Sequence, residues 1–306
     1  MGKIAIVFSG QGAQYSGMGK SLYENCNSAK NLYDFAESFR PGTMAQSFSG
    51  TDEELKKTAN TQPCLYLVDI CAALALKEYG INADAVAGFS LGEIAAIAYA
   101  GGYSAQKGFE IVTKRGELMQ KSAEKYDTAM AAVLKLDSVA VENICASIDD
   151  AYPVNYNSPV QTVVAGSKDA ITVLKEKVAE HSGRVIDLAV SAAFHSPYMD
   201  EASDAFSTYL SEVEASPLLL PVYANKTALT YGENIKDTLA QQIKSPVMWN
   251  QTILNMINDG FTDFIEAGAG TTLCGLIKKI SPNVRTYSVQ DFESLTKTVE
   301  AVKANV

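Results

Sequence analysis

The chain has 306 residues, 47% of them hydrophobic, with 25 basic against 35 acidic side chains and a net charge of −10. That composition supports an apolar core and excludes a disordered tail. The acidic balance, with a sequence pI near 4.8, argues against a nucleic-acid binder, which needs a basic face against phosphates.

By the prior of roughly 100–200 residues per domain, the length fits one large domain or two modest ones. Cys26, Cys64, Cys71, Cys145 and Cys274 are scattered and form neither a CxxC pair nor a zinc-ligand spacing, which suits a reducing cytoplasm. Met1-Gly2-Lys3 runs into the apolar Ile4-Ala5-Ile6-Val7-Phe8, too short for a signal h-region. Ile6 breaks the myristoylation pattern. No run approaches the ~18 apolar residues of a membrane span, so the expectation is a soluble, untargeted, cytoplasmic protein with no membrane and no nucleic-acid partner.

Lys3–Phe8 reads as a buried parallel strand that stops at Ser9-Gly10-Gln11-Gly12. A helix is predicted from about Met18, and a long one over 61–77 with Pro63 in its first turn and a wide apolar face. A short strand over 83–88 and a helix over 91–100 follow, and this alternation implies a parallel α/β sheet. From about Thr128 the pattern becomes strand (130–136), helix (139–148), two strands (154–157 and 161–166), helix (168–181) and strand (184–188). This βαββαβ order is the ferredoxin-like split unit, read as a small domain inserted into a larger one. Predicted next are helix 197–214, strand 221–224, helices 234–243 and 249–259, strand 263–266 and a last helix near 273–280. The groove between the two domains is the expected binding site.

Gly88-Phe89-Ser90-Leu91-Gly92 matches the G-x-S-x-G nucleophile elbow between a predicted strand and helix. Small flanking residues would leave the Ser90 hydroxyl exposed at a helix N-terminus, where backbone N–H groups can bind an oxyanion. A serine needs a base, and the chain has two histidines. His181 closes a predicted surface helix and reads as a C-terminal cation, so His195 in Ala193-Phe194-His195-Ser196 is the expected base. Two phosphate-binding patterns fail. The P-loop glycine expected before Gly19-Lys20-Ser21 is Gln14, and the third glycine of the dinucleotide fingerprint falls at Tyr15.

Together these residues resemble the malonyl-CoA:acyl carrier protein transacylases of dissociated fatty acid synthesis and the related acyltransferase domains of polyketide synthases, over essentially the whole chain. The resemblance implies an α/β-hydrolase-like large domain with a parallel sheet, residues 1–126 and 192–306, around a ferredoxin-like small domain, residues 127–191. Gly10-Gln11-Gly12-Ala13-Gln14 is similar to the family's N-terminal loop, in which Gln11 would share the oxyanion hole with Leu91. Ser90 would carry the acyl ester. Lys114-Arg115-Gly116-Glu117-Leu118-Met119 is similar to the arginine helix, so Arg115 would receive the free carboxylate of a malonyl group.

The segment 241–249 resembles the one whose glutamine, Gln242 by its spacing to Pro246, orients the histidine through a backbone carbonyl, giving a dyad with no third acid. Asn157 falls in a strand pair that resembles those facing the site, and Phe194 resembles the bulky aromatic that accompanies malonyl rather than methylmalonyl preference. Phe89 and Ala269 depart from the family's usual His and Pro.

The resemblance implies ping-pong transfer from malonyl-CoA to the phosphopantetheine thiol of acyl carrier protein, with no metal or other cofactor, by a monomer. Lys278, Lys279 and Arg285 are candidates for docking an acidic carrier. Three alternatives stay open. They are a trans-acting polyketide acyltransferase, a serine thioesterase or carboxylesterase using the same dyad, and a non-catalytic carrier- or nucleotide-binding module.

Overall fold

The computed structural model describes residues 2–190 and 192–304. The expected domain boundary at Ser191 therefore falls outside the described residues, as do Met1 and residues 305–306. The chain opens with β1 (Lys3–Phe8) and four helices, α1 (Lys20–Asn25), α2 (Asn27–Phe39), α3 (Thr43–Ser49) and α4 (Asp52–Lys56). Next come α5 (Thr58–Glu78), β2 (Ala85–Gly88), α6 (Gly92–Tyr99) and α7 (Ala105–Ala123). The middle of the chain supplies β3 (Thr128–Leu134), α8 (Ser138–Cys145), β4 (Ala151–Ser158), β5 (Gln161–Ser167), α9 (Lys168–Glu180) and β6 (Arg184–Asp187). A 3₁₀ turn (Pro197–Met199) then precedes α10 (Asp200–Ser211), β7 (Val222–Tyr223), α11 (Ile235–Gln242) and α12 (Trp249–Asn258). The chain finishes with β8 (Phe261–Ala267), α13 (Thr272–Ile280), β9 (Arg285–Val289) and α14 (Phe292–Ala304).

Two sheets result. Five parallel strands run in the order β7-β2-β1-β8-β9. Four antiparallel strands run in the order β4-β5-β3-β6. In the parallel sheet the apolar run of β1 divides by its period of two. Ile6 and Phe8 join the larger core with the helices α2, α5 and α6, while Ala5 and Val7 join a second core with Trp249, Ile253 and Phe264. Burial on both faces explains why the strand is continuously apolar.

The antiparallel sheet buries Ala131, Val133 and Val164 under α8 and α9, and turns Met130, Ala132 and Val163 the other way, into the larger core. Phe8 is in register with both Gly88 and Ala267. The segments after β1, β2 and β8 therefore emerge side by side at the carboxyl edge, where open α/β sheets place their sites.

Several expectations need correction. Helix α5 begins at Thr58, so Pro63 is its sixth residue and not in its first turn. Proline has no N–H for the carbonyl four residues back, Ala59 O, and that oxygen accepts from Arg40 Nη2 at 3.5 Å. At 21 residues α5 is also long and apolar enough to cross a membrane by length and composition, against the sequence expectation. Here 83% of its apolar window is buried inside the protein, which makes it a core helix.

The segment 197–214 is not one helix. Ser196 caps a 3₁₀ turn before α10 starts. The helix at 272–280 is not the last element, since β9 and α14 follow it. α14 buries Leu295, Thr298, Val299 and Val302 at helical spacing, a signal present in the sequence but not read.

Candidate active site

Ser90 occupies the turn between β2 and α6 with φ of 54°, a left-handed conformation that costs a residue with a side chain of order 1–3 kcal/mol unless its surroundings hold it. They do. The Ser90 amide donates to Asn225 Oδ1 at 2.7 Å, and Asn225 Nδ2 donates to the carbonyl of Gly88. The turn closes only because its glycines lack side chains. A Cβ on Gly88 would lie 1.9 Å from the Gly92 carbonyl carbon, and one on Gly92 would lie 2.5 Å from Ser9 O. Because backbone cannot swing aside, Gly88→Ala is expected to destabilise the fold by about 1–3 kcal/mol, readable as a lowered midpoint in urea.

His195 Nε2 lies 2.8 Å from Ser90 Oγ. On its other side Nδ1 faces two carbonyl oxygens, Gln242 O at 3.0 Å and Ser245 O at 3.1 Å. Both accept only, so Nδ1 carries the hydrogen and Nε2 presents its lone pair to the serine. His195 too is left-handed, with φ of 61°, and its own amide donates to Ile243 O at 3.1 Å. Burial, followed by the Arg115 charge, lowers its pKa to about 4.

The imidazole is therefore a neutral base across the neutral range. Serine acylation is expected to rise as pH climbs through about 4 and to be flat from pH 6 to 8, which a pH–rate profile of kcat/KM would show. Stability follows the same sign. An unfolded histidine titrates near 6.5 and the folded one lower, so stability present above 6.5 is lost as pH falls towards 4.

Arg115 projects from α7 and is wholly buried. Its Nη1 donates to Gln62 Oε1 and its Nη2 to Gln242 Oε1, both at 2.8 Å, and Nη2 also reaches Ser90 Oγ at 3.2 Å. The two firm acceptors are neutral amides, and Nε has no partner among the described residues. Burial lowers the guanidinium to about 10, against the pull of Glu93, so it remains a cation whose charge no contacting carboxylate cancels. Glu93, buried on α6, accepts from the Asn225 amide at 3.1 Å, Gln242 Nε2 at 3.0 Å and the Tyr231 hydroxyl, and burial raises its carboxyl to about 7. Gln242 is the junction of this frame. Its side chain holds Arg115 and donates to Ser90 O at 2.6 Å, while its main chain holds His195.

A cavity of about 250 Å³ opens over Ser90, bounded by both sheets. Gln11 and Leu91 line it, and among the described residues their backbone N–H groups have no acceptor. Phe194 and Asn157 line it as well, and Asn157 Oδ1 is buried without a partner. Phe89 lines it too, with its ring edge-on to Trp249 at 5.5 Å. The structure thus brings together Ser90, His195, Arg115, Gln242, Gln11, Leu91, Phe194 and Asn157.

His181 is exposed at the end of α9, with Nδ1 at 2.9 Å from Lys177 O. Of the basic candidates, Arg285 is bound through two bonds of 2.6 Å to Asp263, and Lys278 is held by the Pro282 and Val284 carbonyls. Lys279 reaches Gln161, at the edge of the cavity, at 3.5 Å. Among the described residues no cluster of metal-ligating side chains occurs.

Sequence reasoning missed Glu93, Asn225, Gln62, Ser245 and Tyr231. Glu93 in Gly92-Glu93-Ile94-Ala95-Ala96 and Gln62 in the largely apolar α5 are buried polar residues inside apolar helices, which is a readable signal. Asn225, 135 residues from the serine it supports, carries none.

A profile of the acyl transferase domain family matches residues 5–294. The chain belongs to this family of acyl transferases. It is 36% identical to the malonyl CoA-acyl carrier protein transacylase of Bacillus subtilis, over 99% of this chain and 98% of that protein. It is 38% identical to the enzyme of the same name from Staphylococcus aureus, over 96% and 98%. A malonyl CoA-acyl carrier protein transacylase from Clostridium perfringens has a crystal structure that superposes with a TM-score of 0.95 at 32% identity, covering 99% of this acyl transferase and 98% of that chain. Another solved structure, a malonyl-transacylase in complex with a type II polyketide acyl-carrier protein, matches with a TM-score of 0.94 at 30% identity, over 98% and 99%.

Proposed function

We propose that this acyl transferase moves the malonyl group from malonyl-CoA to the phosphopantetheine thiol of acyl carrier protein, feeding fatty acid synthesis through a malonyl-serine intermediate. The observation that carries the reading is the buried Arg115, held by neutral amides 3.2 Å from the Ser90 hydroxyl. A planar cation so placed suits an acyl group that ends in a carboxylate.

His195 takes the Ser90 proton at Nε2 as Oγ attacks the thioester carbonyl. The oxyanion is received by the N–H groups of Gln11 and Leu91, cavity-lining residues whose amides have no acceptor among the described residues. Collapse breaks the C–S bond, and His195 returns the proton to the CoA sulfur, which leaves as the thiol and frees the imidazole as a neutral base. The carrier thiol then enters, gives its proton to His195 and attacks the Ser90 ester. Ser90 recovers that proton and the malonyl group leaves as the new thioester. No acid is required behind the histidine, because the carbonyls of Gln242 and Ser245 fix its tautomer. Asn157 borders the acyl chamber, and Phe194 narrows it in favour of malonyl over methylmalonyl. No metal or redox cofactor enters any step.

The same reading takes the parallel-sheet part, residues 1–126 and 192–306, as an α/β-hydrolase-like domain and residues 127–191 as a ferredoxin-like one, supported by the strand order β4-β5-β3-β6. It places the enzyme in the cytoplasm as a monomer.

Intact-protein mass after brief incubation with malonyl-CoA, acetyl-CoA and methylmalonyl-CoA tests the proposal. The expected result is a malonyl-sized gain that added acyl carrier protein discharges. Free CoA with no lasting adduct and no transfer would instead identify a hydrolase, and no reaction with any thioester a binding module.

A further inference from the structure

α5 is apolar along most of its length, yet three of its polar side chains serve the site. Thr58 Oγ1 exchanges hydrogen bonds with the Gln11 side-chain amide at 3.0–3.1 Å, Gln62 Oε1 accepts from Arg115, and Asp69 Oδ1 accepts from Ser9 Oγ at 2.7 Å. These positions are four and seven residues apart, so at about 100° per residue they form one stripe along the helix.

Asp69 has no part in the chemistry described above, and it is wholly buried, with Oδ2 lacking a hydrogen-bond partner among the described residues. A carboxyl in that position is costly, and it stands where three segments meet. Ser9 lines the cavity and leads directly into Gly10-Gln11. Gly268, after β8, has φ of 137°, and a Cβ there would lie 1.9 Å from Asp69 Oδ1 and 2.8 Å from Ser9 Oγ. The acid is therefore clasped between the loop that carries the Gln11 N–H and the turn after the neighbouring strand.

We propose that Asp69 is a positioning residue for acyl transfer: through Ser9 it fixes the loop that aims the Gln11 N–H at the oxyanion, with Thr58 tethering the same loop from the other end. The Ser9 hydroxyl and the Gln11 side chain are both tied to one helix, and the backbone N–H of Gln11, a cavity-lining residue, has no acceptor among the described residues. Arg115 is tied to that helix as well, so the oxyanion donor and the carboxylate anchor share a single support. Burial pushes the Asp69 carboxyl well above the usual carboxylate range, with nearby Glu266 adding to the effect. Asparagine has the same shape and keeps a side-chain oxygen that can accept from Ser9 Oγ.

The inference rests on the malonyl-transfer reading and its oxyanion assignment, and the experiment separates the two. Full-length wild type, Ser9→Ala, Asp69→Asn, Asp69→Ala and the double Ser9→Ala/Asp69→Ala are compared for kcat and KM with malonyl-CoA, and for thermal midpoint. Losing the loop's anchor should misplace a donor aimed at the transition state but leave ground-state binding to Arg115 intact. Ser9→Ala is accordingly expected to lower kcat about tenfold with KM changed less than about twofold. Asp69→Asn should keep kcat within about twofold of wild type, and the double variant should be no slower than Ser9→Ala alone, because the two residues act as one unit.

Wild-type kcat in Ser9→Ala, a KM that rises in step with the fall in kcat, or single effects that multiply in the double variant would overturn the inference while leaving malonyl transfer intact. A wild type that never acquires the malonyl adduct overturns both. Should Asp69→Ala not fold, the Ser9→Ala and Asp69→Asn pair still decides the matter, because each preserves the packing of α5.

Discussion

Ser90→Ala is expected to abolish the malonyl-enzyme adduct and to lower transfer to acyl carrier protein by about 10⁴-fold or more, since no nucleophile remains to accept the acyl group. The surrounding frame should survive. The elbow is held through backbone atoms, the Ser90 amide to Asn225 and the Ser90 carbonyl to Gln242, and neither bond uses the hydroxyl. Malonyl-CoA binding should therefore persist in the variant, measurable by calorimetry, while the mass spectrum shows no gain. His195→Ala should fall to a similar residual rate, and the double variant should be no worse than either single one, because serine and histidine act as one unit. A Ser90→Ala protein that still gained a malonyl mass would remove the serine from its role. If His195→Ala were instead nearly as fast as wild type, the short contact to Ser90 Oγ would be structural only.

Arg115→Ala should distinguish acyl groups and not merely slow them. A charge-assisted bond to a desolvated carboxylate contributes about 1.5–3 kcal/mol, which corresponds to roughly 10- to 150-fold in kcat/KM for malonyl-CoA. Acetyl-CoA, with no carboxylate to place, should change by no more than a few-fold. Arg115→Lys retains the charge but loses the planar fork that bridges Gln62 and Gln242, and it should fall between the two. The thermal midpoint guards the interpretation. Truncation also leaves two buried amides without their donor and Glu93 without its nearby cation, so some loss of stability accompanies the loss of rate. Equal losses for malonyl and acetyl groups would show that the guanidinium supports the frame without reading the substrate.

What the sequence revealed depended on how local the signal was. β1 was legible because an unbroken apolar run followed by Gly10 and Gly12 has few other meanings, and the structure returns the same six residues. The middle of the chain announced itself through a change from one periodicity to another, and its six elements appear in the expected order. The elbow was readable from Gly88 and Gly92, whose missing side chains are required by contacts under 3 Å.

Arg115 looked like any helical arginine. Only the resemblance pointed to it, and its burial comes from α5 and α11 arriving from 53 and 127 residues away. Asn225 was silent for the same reason, since a hydrogen bond across such a distance leaves no local periodicity. β7, two residues long, falls within the predicted strand 221–224 and pairs in parallel with β2. Among the docking candidates, Arg285 is paired with Asp263 on the adjacent strand, a contact that composition alone does not show.

All five cysteines are free, four of them buried and Cys274 half-buried. Burial pushes the thiols of Cys64, Cys145 and Cys274 up to about 12, and that of Cys71 well above its ordinary value. Because the thiolate is the reactive form, the native protein should be nearly inert to disulfide and maleimide reagents. A chromogenic thiol reagent added to the native enzyme would then report CoA release continuously against a flat baseline. Among the described residues no cysteine lines the cavity, so an electrophile carried on a pantetheine arm would meet no competing thiol there on its way to Ser90.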